Sequence, residues 1–256
     1  MSAGLKNGDS KFRLYGGRDP RLLPAYPLDL AARFVLLPTS TLRVWVFGAT
    51  WKEKGGAERS FKPLITPPDR KETVLSFVNL VEAHVLKTIR RKHRIQMIKV
   101  REAIDQLSEM YKTEHPLADV DLLAGRTDLF VNQFGVLLNL SMGKQVALDF
   151  LQIYLSRIER NLAQEATRLY PFVVTPKRVG KKEIIVQDPK LISIDPYISY
   201  GRPVITGTGI STDAIADRFW GGDSIQELAE DFDCGSSEIE YAIRYEKAQQ
   251  SAQASL

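Results

Sequence analysis

Apolar positions in the first third of the chain recur with helical spacing. Leu28, Ala31, Ala32 and Val35 form one stripe, and Leu42, Trp45 and Val46 form the next. Between them Pro38-Thr39-Ser40-Thr41 supplies a helix start. A hydroxyl residue can cap there, and proline is tolerated in a first turn because its missing N–H has no helical partner to lose. Residues 49–65 change period. Trp51, the Lys54-Gly55-Gly56 turn and Phe61-Lys62-Pro63-Leu64-Ile65 predict a small hairpin with basic flanks, after which Pro67-Pro68-Asp69 breaks the chain. Two longer amphipathic stretches follow. The first, Leu75 to Lys92, carries Phe77, Leu80, Val81, Val85 and Ile89 on one stripe. The second, Gln96 to Met110, carries Ile98, Ile104 and Leu107. Together they predict a helical hairpin packed under the first unit.

The middle of the chain reads as mixed. Asp128–Val131 and Gly135–Leu140 predict strands, a helix is expected from about Gln145 to Arg168, and Tyr170-Pro171 stops it. Two short strands, Phe172–Thr175 and Glu183–Gln187, flank a basic turn from Lys177 to Lys182. The last unit opens with Tyr200-Gly201-Arg202-Pro203-Val204-Ile205-Thr206-Gly207-Thr208-Gly209-Ile210. It then predicts three short helices, Thr212–Trp220, Ser224–Asp231 and Glu238–Gln249. Ser224 can cap the second, and Ser237 with Glu240 can form a capping box for the third. The expected fold class is α+β, mainly helical. It divides into a flexible arm (1–25), a winged helix-turn-helix unit with a helical hairpin (26–112), a central mixed α/β segment (113–187), a three-helix module (188–250) and a frayed tail (251–256).

Composition adds little to this until charge is followed along the chain. Hydrophobic residues make up 44% and charged ones 26% of the 256 residues, an ordinary globular balance. The net charge of +4 conceals a gradient. Residues 1–109 carry 20 Lys/Arg against 11 Asp/Glu, residues 110–209 carry 12 against 10, and residues 210–256 carry 3 against 10. A basic front and an acidic rear imply two different partners, with a polyanion suited to the front. No apolar run approaches the roughly 20 residues of a membrane helix. The N-terminus lacks the apolar stretch of a secretory signal. A single cysteine, Cys234, excludes an intrachain disulfide and a thiolate-rich zinc site, so a reducing cytoplasm is expected.

Few residues suggest catalysis. His84 and His93 are nine apart, which does not align them as ligands on one helix face, and His115 stands alone. No Gly-x-Ser-x-Gly elbow occurs, and Cys234 has no partner marking it as a nucleophile. Gly207-Thr208-Gly209 begins neither a dinucleotide fingerprint nor a P-loop and fits a tight turn better. Neither a cofactor nor a metal is expected. The first helical pair is more informative. Thr39, Ser40, Thr41 and Arg43 stand where a recognition helix needs short donors and a fork-shaped cation. Lys52, Lys54, Arg59 and Lys62 would make the hairpin behind it a wing on backbone phosphates. The run Lys87, Arg90, Arg91, Lys92, Arg94, Lys99 and Arg101 could neutralise further phosphates, or form a solvated face.

The string AARFVLLPTSTLRVW at residues 31–45 resembles the opening helix-turn-helix of MerR-type regulators, departing from it at Leu36, where such turns often carry glycine. The stretch LSFVNLVEAHVLKTIRRKHRIQMIKVREAIDQL resembles VapB-type antitoxins of the large two-domain kind. So does the ending IDPYISYGRPVITGTGI…IQELAEDFDCGSSEIEYAIRYEKA, whose Gly-Arg-Pro-Val-Ile opening is the most specific part. The resemblance implies a non-enzymatic bacterial protein that neutralises a VapC-like PIN-domain ribonuclease toxin and represses its own operon by binding double-stranded DNA. Matched to the family's reading helix, Thr39, Ser40, Thr41 and Arg43 are implied DNA contacts. No toxin-contacting residue is implied. The last two helices also resemble a helix-turn-helix, but Glu238 and Glu240 open the would-be reading helix, so that module is expected to face a protein. A homodimer, or a hetero-oligomer with the toxin, is expected, because one recognition helix reads only a short half-site. The alternatives are a MerR-style effector-sensing regulator with a ligand pocket in residues 127–187, and a metal-dependent nuclease.

Overall fold

A computed structural model describes residues 15–52, 55–56, 58–69, 71–92, 97–119, 153–171, 177–179, 182–184 and 189–254. The chain is mixed α+β and mainly helical. Its described strands form five two-stranded antiparallel pairs rather than one sheet. Strand β1 (Tyr26–Pro27) leads straight into α1 (Leu28–Phe34), and a short turn leads into α2 (Thr39–Phe47). Strands β2 (Ala49–Lys52) and β3 (Glu58–Phe61) pair as a hairpin, with Trp51 opposite Arg59 and Lys52 opposite Glu58. Strand β4 (Val74–Leu75) returns to pair with β1 and feeds α3 (Phe77–Lys92). Helices α4 (Met97–Tyr111) and α5 (Pro116–Asp119) follow.

The amphipathic reading of α3 understates its burial. Every residue from Phe77 to Ile89 is buried, because α5 and strand β6 cover the face that the stripe left polar. Most of its polar side chains are therefore matched, as burial demands, while the Nδ1 of His84 is buried without a hydrogen-bond partner among the described residues. Ser76 and Asn79 exchange bonds at the helix start, and Asn79 Nδ2 also donates to the Thr66 carbonyl at 2.9 Å. Glu82 meets His115 at 3.3 Å, and Thr88 Oγ1 donates to the His84 carbonyl at 2.9 Å.

The helix expected over 145–168 is not formed in its second half. Strands β5 (Ile158–Arg160) and β6 (Ala166–Leu169) occupy it instead. The cause is Asn161, whose Oδ1 accepts from the Ala163 and Glu165 N–H groups and closes a turn completed by Gln164 at φ 64°. The basic turn expected from Lys177 to Lys182 is narrower than predicted. Strands β7 (Lys177–Val179) and β8 (Lys182–Ile184) pair directly, leaving two residues between them. The strands expected at 128–131, 135–140 and 172–175 lie outside the described residues.

Strand β9 (Ile192–Ser193) pairs with β10 (Val204–Ile205) and opens the last unit. Its neighbours serve two cores: Ile194 joins the large N-terminal one, and Ile192 joins a smaller one with Ile205, Ile215, Leu228, Ile239, Ala242 and Tyr245. Around that second core pack α6 (Thr212–Trp220), α7 (Ile225–Asp231) and α8 (Ser236–Ala254). The capping box of α7 is present, with Ser224 Oγ accepting from Glu227 N and Glu227 returning a bond to Ser224 N. Where a box was expected from Ser237 and Glu240, α8 starts at Ser236, and the carboxylate two residues earlier, Glu238, accepts from Gly235 N at 2.8 Å; glycine has no side chain with which to complete a box. Helix α8 runs through the stretch expected to fray, as far as Ala254. At the other end, residues 15–25 of the expected arm are tied down. Arg21 pairs with Asp19 at 2.5 Å and with Glu165 at 2.7 Å, and its carbonyl accepts from Val78 N.

Candidate nucleic-acid interface

Helices α1 and α2 meet at a bend of 118°, within the range of a helix-turn-helix. The turn ends α1 in a Schellman motif, with Leu37 N bonding to the Ala32 carbonyl and Leu36 N to the Arg33 carbonyl. That motif places its C′ residue in the left-handed region, and Leu36 occupies it at φ 56°. Leucine is tolerated where glycine is usual because its side chain packs, partly buried, against the second core. The departure at Leu36 is thus the seam between the two units. Lys87 lies under the same turn and donates Nζ to the Val35 carbonyl at 2.8 Å. Only 8% exposed, Lys87 is withdrawn from the phosphate-neutralising run expected of it. Arg101 of that run lies 3.7 Å from Asp105.

Leu42, Trp45 and Val46 of α2 face the core, as their spacing predicts, which turns Ser40, Arg43 and Phe47 outward on the opposite side. Lys52 and Lys62 are exposed on the hairpin strand and just beyond it. Arg59 stands on β3 opposite Trp51, and Lys54 lies outside the described residues. The hairpin is held against α2 by Gly48 at φ 75°, where a side-chain carbon would come within 2.3 Å of the Phe61 carbonyl. Trp51, half exposed at 50%, is an aromatic on this face that charge counting alone passed over.

Thr39 is not presented like its neighbours. Its hydroxyl donates to Gln253 Oε1 at 2.7 Å, while Gln253 Nε2 donates to the Leu37 carbonyl at 2.8 Å. About two turns back along α8, Tyr245 donates its hydroxyl to the Phe34 carbonyl at 2.7 Å. The acidic C-terminal unit is therefore docked on the end of α1, the turn and the first residue of α2. The sequence signal for this was weak: a Gln-rich stretch that looks like a tail.

Nothing in the described residues assembles a metal centre: no group of three or more His, Cys, Asp or Glu side chains is placed to hold one. His84 is fully buried and held neutral, its pKa pushed down to about 3 by burial and then by the charge of Lys87. No single helix among the described residues is long and apolar enough to cross a membrane. Most of the segment proposed for an effector pocket lies outside the described residues.

Residues 24–104, which hold this helix pair and hairpin, match a family described as "Putative DNA-binding HTH domain". Residues 192–245, the second unit, match a family described as "Protein of unknown function (DUF433)". The chain is 24% identical over 240 residues to a Mycobacterium tuberculosis protein named "Putative antitoxin VapB45", covering 86% of this chain and 93% of that one. It is 23% identical over 222 residues to the "Uncharacterized protein Rv2308" of the same organism, covering 84% of this chain and 87% of the relative. The crystal structure of Rv2018 from Mycobacterium tuberculosis shares the fold, with a TM-score of 0.59 and 20% identity over 86% of this chain and 97% of that one.

Proposed function

We propose that the chain is a DNA-binding antitoxin, which represses its own operon through α1, α2 and the β2–β3 wing and neutralises a VapC-like PIN-domain ribonuclease through its C-terminal module. The observation that carries the DNA-binding half is the face of α2. Ser40 and Arg43 stand outward at the start of a helix set at 118° to its predecessor, with exposed lysines on the following hairpin. Short hydroxyls and an arginine at such a position are suited to phosphates and base edges in the major groove. The antitoxin half is supported by the distant relative so named, whose length the chain almost fully covers. It is also supported by the excess of seven negative charges over residues 210–256, which suits a protein partner better than a phosphate backbone.

In this reading Ser40, Thr41 and Arg43 read the DNA, Lys52, Lys54, Arg59 and Lys62 grip its backbone, and Thr39 joins only when Gln253 releases it. The working units are 26–112, 113–187 and 188–250, and the protein acts as a dimer in a reducing cytoplasm without chemistry of its own. The test is binding to the DNA upstream of its own gene against a scrambled duplex across a salt series. Specific binding is expected to persist at moderate salt. Arg43→Ala is expected to lower it about tenfold or more, as loss of one bidentate base contact does. Equal release from both duplexes would reduce the basic front to a general polyanion surface.

A further inference from the structure

The opening of the C-terminal unit contains a left-handed turn that its position in the fold does not require to be aromatic. Ser199, Tyr200 and Gly201 have consecutive φ values of 47°, 55° and 73°, and the turn is closed by bonds from Gly201 N to the Ile198 carbonyl at 2.9 Å and from Arg202 N to the Ser199 carbonyl at 3.1 Å. Only glycine adopts this region freely; each other residue in it is strained. Ser199 gains a hydrogen bond to the Gly209 carbonyl at 2.9 Å, and Gly201 is forced by its close approach to Tyr26. Tyr200 gains no hydrogen bond among the described residues. It is 92% exposed, the most of any tyrosine among the described residues. Glycine or asparagine would serve the backbone better there. Beside it Arg202, held by Asp213 at 3.2 Å, is also largely exposed.

We infer that Tyr200, with Arg202, is the anchor by which this unit binds its protein partner, a ring and a guanidinium fixed in advance on a strained turn. This rests on the antitoxin reading and names the surface that reading leaves open. Tyrosine and arginine are the side chains that concentrate binding energy in protein interfaces, and a pre-set turn avoids the ordering cost of a flexible loop. An exposed ring beside an arginine could also stack on a nucleic-acid base. The charge of the surrounding unit, 10 acidic against 3 basic residues from 210 to 256, opposes a phosphate chain and favours a partner with a basic face.

The experiment titrates the full chain against the PIN-domain ribonuclease encoded beside it, for wild type, Tyr200→Gly and Tyr200→Phe, with a thermal melt of each. Tyr200→Gly is expected to weaken binding by about tenfold or more while leaving the melting temperature unchanged or raised, since the backbone strain is relieved. Tyr200→Phe, which keeps the ring, is expected to stay within about threefold of wild type. Equal binding by Tyr200→Gly overturns the inference while the antitoxin reading stands. A fall in melting temperature with Tyr200→Gly overturns it too, because the ring would then be a packing element. Binding of a single-stranded oligouridine that Tyr200→Gly abolishes, with ribonuclease binding untouched, reassigns the turn to nucleic acid. No binding of the ribonuclease by wild type removes both the reading and the inference.

Discussion

At the scale of single residues, Gly201 and the turn after α1 are explained by contacts that cross between the two units. Gly201 sits at φ 73° with the space for its missing side chain filled by Tyr26, whose hydroxyl oxygen would lie 2.0 Å from a β-carbon. Tyr26 is itself buried on β1, 2% exposed, so it has nowhere to retreat. Gly201→Ala therefore meets both a backbone and a steric penalty, and is expected to destabilise the chain by about 2 kcal/mol or more. In the Tyr26→Phe background, where the closest atom is gone, part of that loss should vanish. The two changes should be non-additive by about 1 kcal/mol in denaturant melts. Strict additivity would mean the strain lies in φ alone. Leu36 belongs to the same class. Its motif position was legible as a departure from glycine, but the compensation, packing on a core formed by residues more than 150 positions away, was not.

At the scale of elements, what the sequence made legible and what it hid divide by the range of the forces involved. Helices α1 and α2 were readable because one apolar stripe each, a proline at the start and a turn between them are local signals. The outward face of α2 followed from the inward one. The buried character of α3 was not readable, since elements far along the chain cover its polar side. The second half of the expected 145–168 helix failed for a local reason, the turn made by the Asn161 side chain, which apolar spacing does not weigh. Helix α8 was cut short at Gln249 because Gln, Ala and Ser carry no apolar stripe. What extends it is polar, with Gln253 bonded to Leu37 and Thr39. Gln253→Ala removes both bonds and leaves Thr39 and the Leu37 carbonyl to water. A loss of about 1–2 kcal/mol is expected, with faster amide exchange at the start of α2. Unchanged exchange there would mean that α8 holds the turn through Tyr245 alone.

At the scale of the whole molecule, two histidines, His84 buried and His115 partly buried, give the fold opposite dependences on pH, and the one on the alkaline side can be isolated. Burial and then Lys87 push His84 down to about 3, so the unfolded chain takes up a proton below its ordinary pKa that the folded chain refuses. Its contribution is full above about pH 6.5 and is lost as the pH falls from there toward 3. His115 behaves in the reverse sense. Burial opposes its charge, but the hydrogen bond and negative charge of Glu82, with Asp119 and Glu114 nearby, outweigh burial and raise its pKa. The folded chain then keeps a proton that the unfolded chain has released. The His115 contribution is full below about pH 6.5 and is lost as the pH rises through the raised folded value. Glu82 acts in the same direction, because burial raises its pKa despite the partial relief from His115 and Asn79. It too favours the fold less as the pH climbs. Urea unfolding between pH 6.5 and 8.5 should therefore show stability falling with pH. His115→Gln should remove the imidazole's share of that slope, leaving only what Glu82 carries, even if it lowers stability at every pH. A slope unchanged in His115→Gln would place the alkaline loss elsewhere and leave the Glu82–His115 contact, 3.3 Å long at the meeting of α3 and α5, a hydrogen bond that does not take up charge.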